Sequence, residues 1–343
     1  MSTRSSSPTI VDVARQAGVS IKTVSRVLNQ EPGVHEETRA EVLRVVKALR
    51  YRPKQSARSL AGGRSFLLGL LYYDPSAAFV GRVQQGATLH CREVGYHLVV
   101  ESLHHDTRDL QEQVERMVMT LRPDGMILTP PLCDSREVLD ALRESDTPFV
   151  QISPERDLPD APSLRMDDIR AAEDMTNLLI SLGHERIAFI KGAPDQIASA
   201  HRYQGYLDAL RAHGLQPDTQ LIQQGSFSFD TGREAAHQLL SRTLRPTAVF
   251  ASNDDMALGV LAAAQRLGLS VPGDLSVAGF DDSPPAALVW PALTTVRQPV
   301  SEMASLAVDL LVRRRSDPAA EPVHRVLPFE LVVRDSTAVR RRG

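Results

Sequence analysis

Cysteine is almost missing from this chain. Cys91 and Cys133 are the only two in 343 residues. They form no CxxC pair and no cysteine/histidine cluster, which argues against a disulfide framework and leaves buried free thiols in a reducing compartment as the reading. Long apolar runs are missing too. The longest, FLLGLLYY at 66–73, is far too short to span a bilayer. The N-terminal MSTRSSSPT is polar and has no apolar core, so a secretory signal is not expected and the cytoplasm is. Phosphate-loop, dinucleotide and hydrolase signatures are equally lacking: there is no GxxxxGK[ST], no GxGxxG and no GxSxG. HEETR and HERIA each lack the second histidine of a zinc-protease helix.

What is present is an asymmetry of charge. The net charge of the whole chain is −3, yet residues 1–64 hold 12 Lys/Arg against 5 Asp/Glu and the rest holds 27 against 37. A basic head on an acidic body points the head toward a polyanion.

The head has its own punctuation. Thr9 caps a first helix with Asp12 three positions on, a capping-box spacing. Val13, Ala14 and Ala17 share one face, and Gly18 suits the left-handed residue past the helix end. Ser20 caps a second helix that buries Val24, Val27 and Leu28. Two helices of about eight residues do not persist alone. EETRAEVLRVVKALRY supplies a third, with Val42, Val45, Val46 and Leu49 facing inward. Helix, glycine turn, helix and support form a helix-turn-helix, whose second helix enters the major groove. Ile21, Lys22 and Arg26 are placed to read base edges, while Thr23, Ser25 and Asn29 suit phosphates and Ser20, at the helix start, completes the DNA-binding set. A purely structural three-helix cap is the competing reading, and caps, turn and charge together weigh against it.

These residues carry a resemblance. VDVARQAGVSIKTVSRVLN, HEETRAEVLRVVKALRYRP and ARSL are similar to the head of the lactose/galactose-repressor (LacI/GalR) family of transcriptional regulators. The similarity continues through SLGHERIAFIKG, RYQGYLDAL, FASNDDMALG, DLSVAGFDD and LTTVRQP, nearly the whole chain. His35 departs from it, standing where a serine often caps the third helix, a loss of roughly 1 kcal/mol.

After Pro53, KQSARSLAGGRS has helix-forming composition and ends at Gly62-Gly63. On its own it is a linker or a segment that folds on binding. The resemblance implies the second: paired hinge helices in the minor groove, with Leu60 wedged between base pairs and Ala57 and Arg58 beside it.

From residue 66 onward, apolar strands alternate with amphipathic helices. FLLGLLYY, HLVVES, GMILTP and FVQIS form one series; RIAFIKG, AVFASN and LSVAGF form a second. The pattern predicts an α/β body of two doubly wound lobes with parallel sheets. Ligands of such sheets bind beyond the carboxyl ends of the strands, which places Tyr72, Tyr73, Asp74, Ser153, Asn253, Asp254, Asp281 and Asp282 at the site. Scattered carboxylates, one arginine and aromatics suit a polyol better than a reaction. His104-His105-Asp106 reads as a solvated loop rather than a metal site, and His184 as a helix end. The resemblance implies a periplasmic-binding-protein type I body with effector in the cleft, and picks out Phe79, Arg202, Phe227, Asn253, Asp281 and Gln298. Two departures line that cleft: YYDPSAAFV replaces the commoner family pattern, and Ser153 stands where an aspartate is frequent.

The expected domains are a head over 1–53, a hinge over 54–64 and a body over 65–343. The body would divide into an N-lobe of about 65–165 and 297–325 and a C-lobe of about 166–296 and 326–343. The expected function is a dimeric repressor released from palindromic double-stranded operator DNA by a small saccharide effector, with no cofactor and no membrane partner. Corepression is the alternative. A sugar-binding protein without DNA function conflicts with the head, and an enzyme lacks a catalytic constellation.

Overall fold

The computed structural model describes residues 8–28, 32–51, 64–73, 77–103, 109–317 and 319–340. The chain forms two compact units, Met1–Phe66 and Leu67–Gly343.

The small unit holds α1 (Ile10–Ala17), α2 (Ile21–Leu28) and α3 (Glu36–Ala48). Thr9 caps α1 reciprocally. Its N–H donates to the Asp12 carboxylate at 2.9 Å, and the Asp12 N–H donates to Thr9 Oγ1 at 3.4 Å. Gly18 ends the helix at φ 66°, a conformation that costs a side-chain-bearing residue strain. Ser20 opens α2 by accepting from the Thr23 N–H at 3.1 Å. His35 precedes α3 without a side-chain cap, and Glu36 and Glu37 in the first turn complement the helix dipole instead. Val13, Ala14, Val24, Val27, Val42, Val45 and Tyr51 close the core between the three helices. Each buried valine contributes roughly 1.5–3 kcal/mol, which is what holds helices this short.

The large unit opens with β1 (Leu67–Tyr72), α4 (Ala77–Glu93), β2 (His97–Ser102), α5 (Leu110–Leu121), β3 (Gly125–Leu128), α6 (Arg136–Glu144), β4 (Phe149–Ile152) and β5 (Ser163–Arg165). Next come α7 (Asp168–Ser181), β6 (Ile187–Lys191), α8 (Ile197–Ala212), β7 (Ile222–Gln224), α9 (Phe229–Leu240), β8 (Ala248–Ala251), α10 (Asp254–Arg266), β9 (Ser276–Ala278) and α11 (Pro284–Leu288). The chain finishes with β10 (Thr295–Arg297), α12 (Val300–Ser316), β11 (His324–Val326) and β12 (Glu330–Val332).

Two parallel sheets result. One runs β11-β5-β4-β3-β1-β2 and builds an N-lobe; the other runs β7-β6-β8-β9 and builds a C-lobe. Central strands β3, β4 and β8 are buried along their whole length, as expected of strands covered on both faces; they are apolar except for Gln151 in β4, whose Nε2 donates to the Cys133 carbonyl at 2.6 Å. The chain crosses between lobes three times: from β5 to α7, from β10 to α12, and from β11 to β12. β10 and β12 pair antiparallel, so two of the crossings are tied side by side. Short strands β5, β7, β10, β11 and β12, of three residues each, are not among the seven strands read from sequence. Three residues carry too little periodicity to register unless apolar neighbours extend the run, as LSVAGF does around the equally short β9. Cys91 and Cys133 are free and buried. No helix among the described residues is long and apolar enough to cross a membrane.

Candidate functional site

Two faces of the molecule combine the residue types expected to do chemistry. On α2, Val24 and Val27 are buried, and the residues between them turn outward. Ser20, Ile21, Lys22 and Arg26 are exposed, while Thr23 and Ser25 are half-exposed. Ile21, at 48% exposure, is an apolar side chain held out beside a cation, the pairing that meets a thymine methyl and a guanine edge. The Ser20 and Thr23 hydroxyls lie 2.9 Å apart and bond to each other, so both serve the helix start as well as facing outward. Asn29, Ala57, Arg58 and Leu60 lie outside the described residues, as do Asp74 and His104-His105-Asp106.

Between the lobes of the large unit lies a cavity of about 50 Å³. It is lined by Tyr73, Phe79, Val80, Pro130, Ser153, Asp168, Gln196, Ala198, Arg202, Phe227, Asn253, Asp281 and Gln298. Sequence reading placed Tyr73, Phe79, Ser153, Arg202, Phe227, Asn253, Asp281 and Gln298 there, and the fold brings all eight together. Tyr72, Asp254 and Asp282 do not line it: the two aspartates are bound up with Thr295, Ser283, Arg297 and Arg334 beside it. Tyr72 ends β1, and Tyr73 lines the cavity in its place, because successive side chains along an extended chain point to opposite sides. Val80, Pro130, Asp168, Gln196 and Ala198 were missed. Gln196 follows β6 at its carboxyl end, so the rule that located the others extends to it. Asp168 opens α7 on the crossover from the N-lobe, and no strand in the sequence points to it.

Arg202 organises the cavity from α8. Its Nε donates to Asp168 Oδ1 at 2.8 Å and its Nη1 to the Ser252 carbonyl at 2.6 Å. Nη1 also lies 3.9 Å from Asp281 Oδ1, and the guanidinium sits 3.7 Å from the Phe280 ring centroid. Arginine satisfies all of these at once because its donors form a fixed planar fork over a stacking face. Asn253 caps α10, accepting from the Met256 N–H at 3.0 Å and donating to the Phe227 carbonyl at 2.9 Å. It therefore holds Phe227 in place, at φ 62°, as well as lining the cavity. A Cβ on Gly192 would strike the Phe227 ring, so that glycine is the space the aromatic occupies.

Neighbouring carboxylates diverge. Burial pushes the Asp281 carboxyl up to about 8 from the ordinary 3.8, with Arg202 opposing and Asp254 adding to the rise. Gln298 Nε2 donates to Asp281 Oδ1. Asp254, buried at the start of α10, is pushed up to about 6 by burial, against hydrogen bonds from Thr295 and Ser283. Burial also raises Asp282, but bonds from Arg334 and Arg297 outweigh it and hold that carboxylate below its ordinary value. The Arg202 charge is thus balanced by Asp168, while burial favours the neutral form of Asp281. The cavity offers donors and acceptors with little net charge.

A second cavity, about 240 Å³, shares Ser153, Asp168 and Ala198 with the first and adds Glu155, Arg165, Asp167 and His201. His184 stands apart from both: it is buried and contacts the Thr247 and Ser276 hydroxyls at 3.0 Å each. No group of three or more potential metal ligands occurs among the described residues.

A helix-turn-helix unit joined to a two-lobed binding body defines a ligand-responsive DNA-binding protein. The model of bacterial regulatory proteins of the lacI family matches residues 9–54, and that of a periplasmic binding protein-like domain matches residues 176–337. The chain is 34% identical over 332 residues to the HTH-type transcriptional regulator DegA of Bacillus subtilis, covering 96% of this chain and 98% of that one. It is 36% identical over 316 residues to the ribose operon repressor of Escherichia coli, covering 91% and 94%. Among solved structures it resembles the lac repressor dimer bound to operator and the anti-inducer ONPF, with TM-score 0.81, 28% identity and coverage of 96% and 99%. It also resembles a complex of the transcriptional regulator CelR with cellobiose, with TM-score 0.73, 32% identity and the same coverage. The chain belongs to the LacI family of bacterial transcriptional regulators and is a DNA-binding regulator.

Proposed function

We propose that this protein represses transcription from a palindromic operator and is released by a neutral saccharide bound between the lobes. The observation that carries the ligand class is the charge-balanced cavity. Arg202 paired with Asp168 disfavours an anionic effector, and Asp281, Gln298 and Asn253 beside Phe79 and Phe227 suit hydroxyls set against an apolar ring face. Relatives named for ribose and cellobiose agree with that class. The outer cavity has room and polar groups for a second ring.

The functional division follows the sequence: a reading head over 1–53, a hinge over 54–64 in which Leu60 enters the minor groove, and a sensing body over 65–343. In the head, Ile21, Lys22 and Arg26 read bases, and Ser20, Thr23, Ser25 and Asn29 meet phosphates. The protein works in the cytoplasm, where its operator lies, and acts as a regulator rather than as an enzyme, in keeping with relatives named as regulators and repressors.

It works as a homodimer. The surface that fits a second copy is an apolar groove of Leu258, Leu261, Leu269, Val271 and Val289 on the C-lobe, beside Trp290 and Leu288 at 89% and 84% exposure. Apolar groups so exposed and contiguous mark an association face. Two-fold symmetry of the dimer requires two inverted half-sites in the operator.

The test is calorimetric titration of the full chain with ribose and with cellobiose, each with and without the operator fragment identified upstream of its target genes. A sugar that binds must bind more weakly in the presence of operator, by the factor with which it weakens DNA binding. Equal affinities would remove the inducer mechanism, and tighter binding on operator would make the sugar a corepressor.

A further inference from the structure

The cavity is far smaller than the roughly 300 Å³ or more of an ordinary ligand pocket. How far the lobes stand apart therefore sets the room for a ligand. What holds them together is then a determinant of affinity, and one side chain crosses the gap with unusual economy.

Arg82 lies on α4 in the N-lobe, on the turn that follows the cavity residues Phe79 and Val80. Its guanidinium donates into the C-lobe, from Nη1 to the Asp281 carbonyl at 3.0 Å and from Nη2 to the Asp282 carbonyl. Both acceptors belong to non-glycine residues at positive φ, 121° for Asp281 and 53° for Asp282. Such backbone persists only where its surroundings hold it. On the C-lobe side the hold is visible: Arg297 and Arg334 grip the Asp282 carboxylate, and the Asp281 N–H donates to the Val296 carbonyl at 2.8 Å. On the N-lobe side it is Arg82. The Asp281 residue is thereby read from two directions, its carboxyl by the cavity and its carbonyl by the opposite lobe.

We propose that Arg82 is a positioning residue that clasps the Asp281-Asp282 backbone across the cleft, setting the balance between open and closed lobes and aiming the Asp281 carboxyl at the effector. Ligand entry breaks the clasp, and closure over the ligand restores it. The cationic fork matters because two carbonyls are met at once; a lysine supplies one point of attachment. Removing the clasp lowers the closed population, and apparent affinity falls in proportion.

This deepens the reading of the cavity as the effector site, but its test needs no effector. Hydrogen–deuterium exchange is measured on the ligand-free full chain for the native protein, Arg82→Ala and Arg82→Lys. In Arg82→Ala, amides of 279–283 and 295–298 should exchange about tenfold faster or more, as expected for loss of a charge-assisted bond pair. Strands β6 and β8 should keep their native rates, and Arg82→Lys should fall between. Unchanged exchange at 279–283 would overturn the proposal. Acceleration spread evenly through β6 and β8 would also overturn it, by making Arg82 a general stabiliser of the fold. If neither ribose nor cellobiose binds in the calorimeter, the saccharide reading fails while this comparison stands.

Discussion

Arg202 and Asp168 form a buried ion pair, 2.8 Å between Nε and Oδ1, with both side chains less than a tenth exposed. The arginine on which a ligand is expected to depend is already committed to a partner of its own lobe. Its role is therefore as much to neutralise Asp168 and orient Phe280 and Asp281 as to donate to an effector.

This changes the expected outcome of Arg202→Ala. Were Arg202 only a donor to the ligand, its loss would abolish the response and leave stability intact. In the structure it also strands the Asp168 carboxylate, which costs about 3–5 kcal/mol when one member of a buried pair is removed. Urea denaturation should show that loss, and Arg202→Ala combined with Asp168→Asn should recover a large part of it. A single mutant as stable as the native chain would mean that the pair is solvated in solution.

Asp281 gives stability a pH dependence of known sign. Its folded value, about 8, lies above the ordinary 3.8. Its contribution is complete below the lower value and is lost as pH rises toward the upper one. The decline is at most about 1.4 kcal/mol per pH unit. Asp281→Asn should remove that component, so the mutant should gain on the native chain steadily between pH 4 and 8 in urea midpoints. A constant difference across that range would show that Asp281 ionises normally.

Lys22→Ala should relax base preference at one position of each half-site by about 1–3 kcal/mol if Lys22 meets a guanine edge. Competition gel shifts with single-base operator variants read this directly. Equal weakening on operator and random DNA would reduce Lys22 to a phosphate contact.

Trp290→Arg and Leu288→Asp should each convert the dimer to monomer in sedimentation at micromolar concentration. Each places a charge where an apolar groove would be covered. Because both side chains are exposed, neither should lower the stability of the lobe itself by more than about 0.5 kcal/mol. Dimers that persist in both variants would move the interface elsewhere.

Much of this protein is decided locally. The capping box at Thr9, the left-handed turn at Gly18, the Ser20 cap and the buried faces of three short helices follow from nearest neighbours and helical spacing, so they are legible without a fold. Seven of the strands are legible for the same reason, and the rule that ligands gather at strand carboxyl ends carries Ser153, Asn253 and Asp281 to one cavity. Arg202, Phe227 and Gln298 reach it through family resemblance rather than through any pattern in the chain. Other features depend on elements far apart in sequence. The pairing of Arg202 with Asp168 joins α8 to a crossover, and the clasp of Arg82 on Asp281 and Asp282 spans about 200 residues between lobes. The opposite shifts of the Asp281 and Asp282 carboxyls arise because the fold buries one beside Asp254 and surrounds the other with Arg297 and Arg334. Composition and periodicity specify which side chains are apolar and which helices form; only tertiary packing, by excluding water from chosen polar groups and supplying partners to others, decides their charge and what they touch.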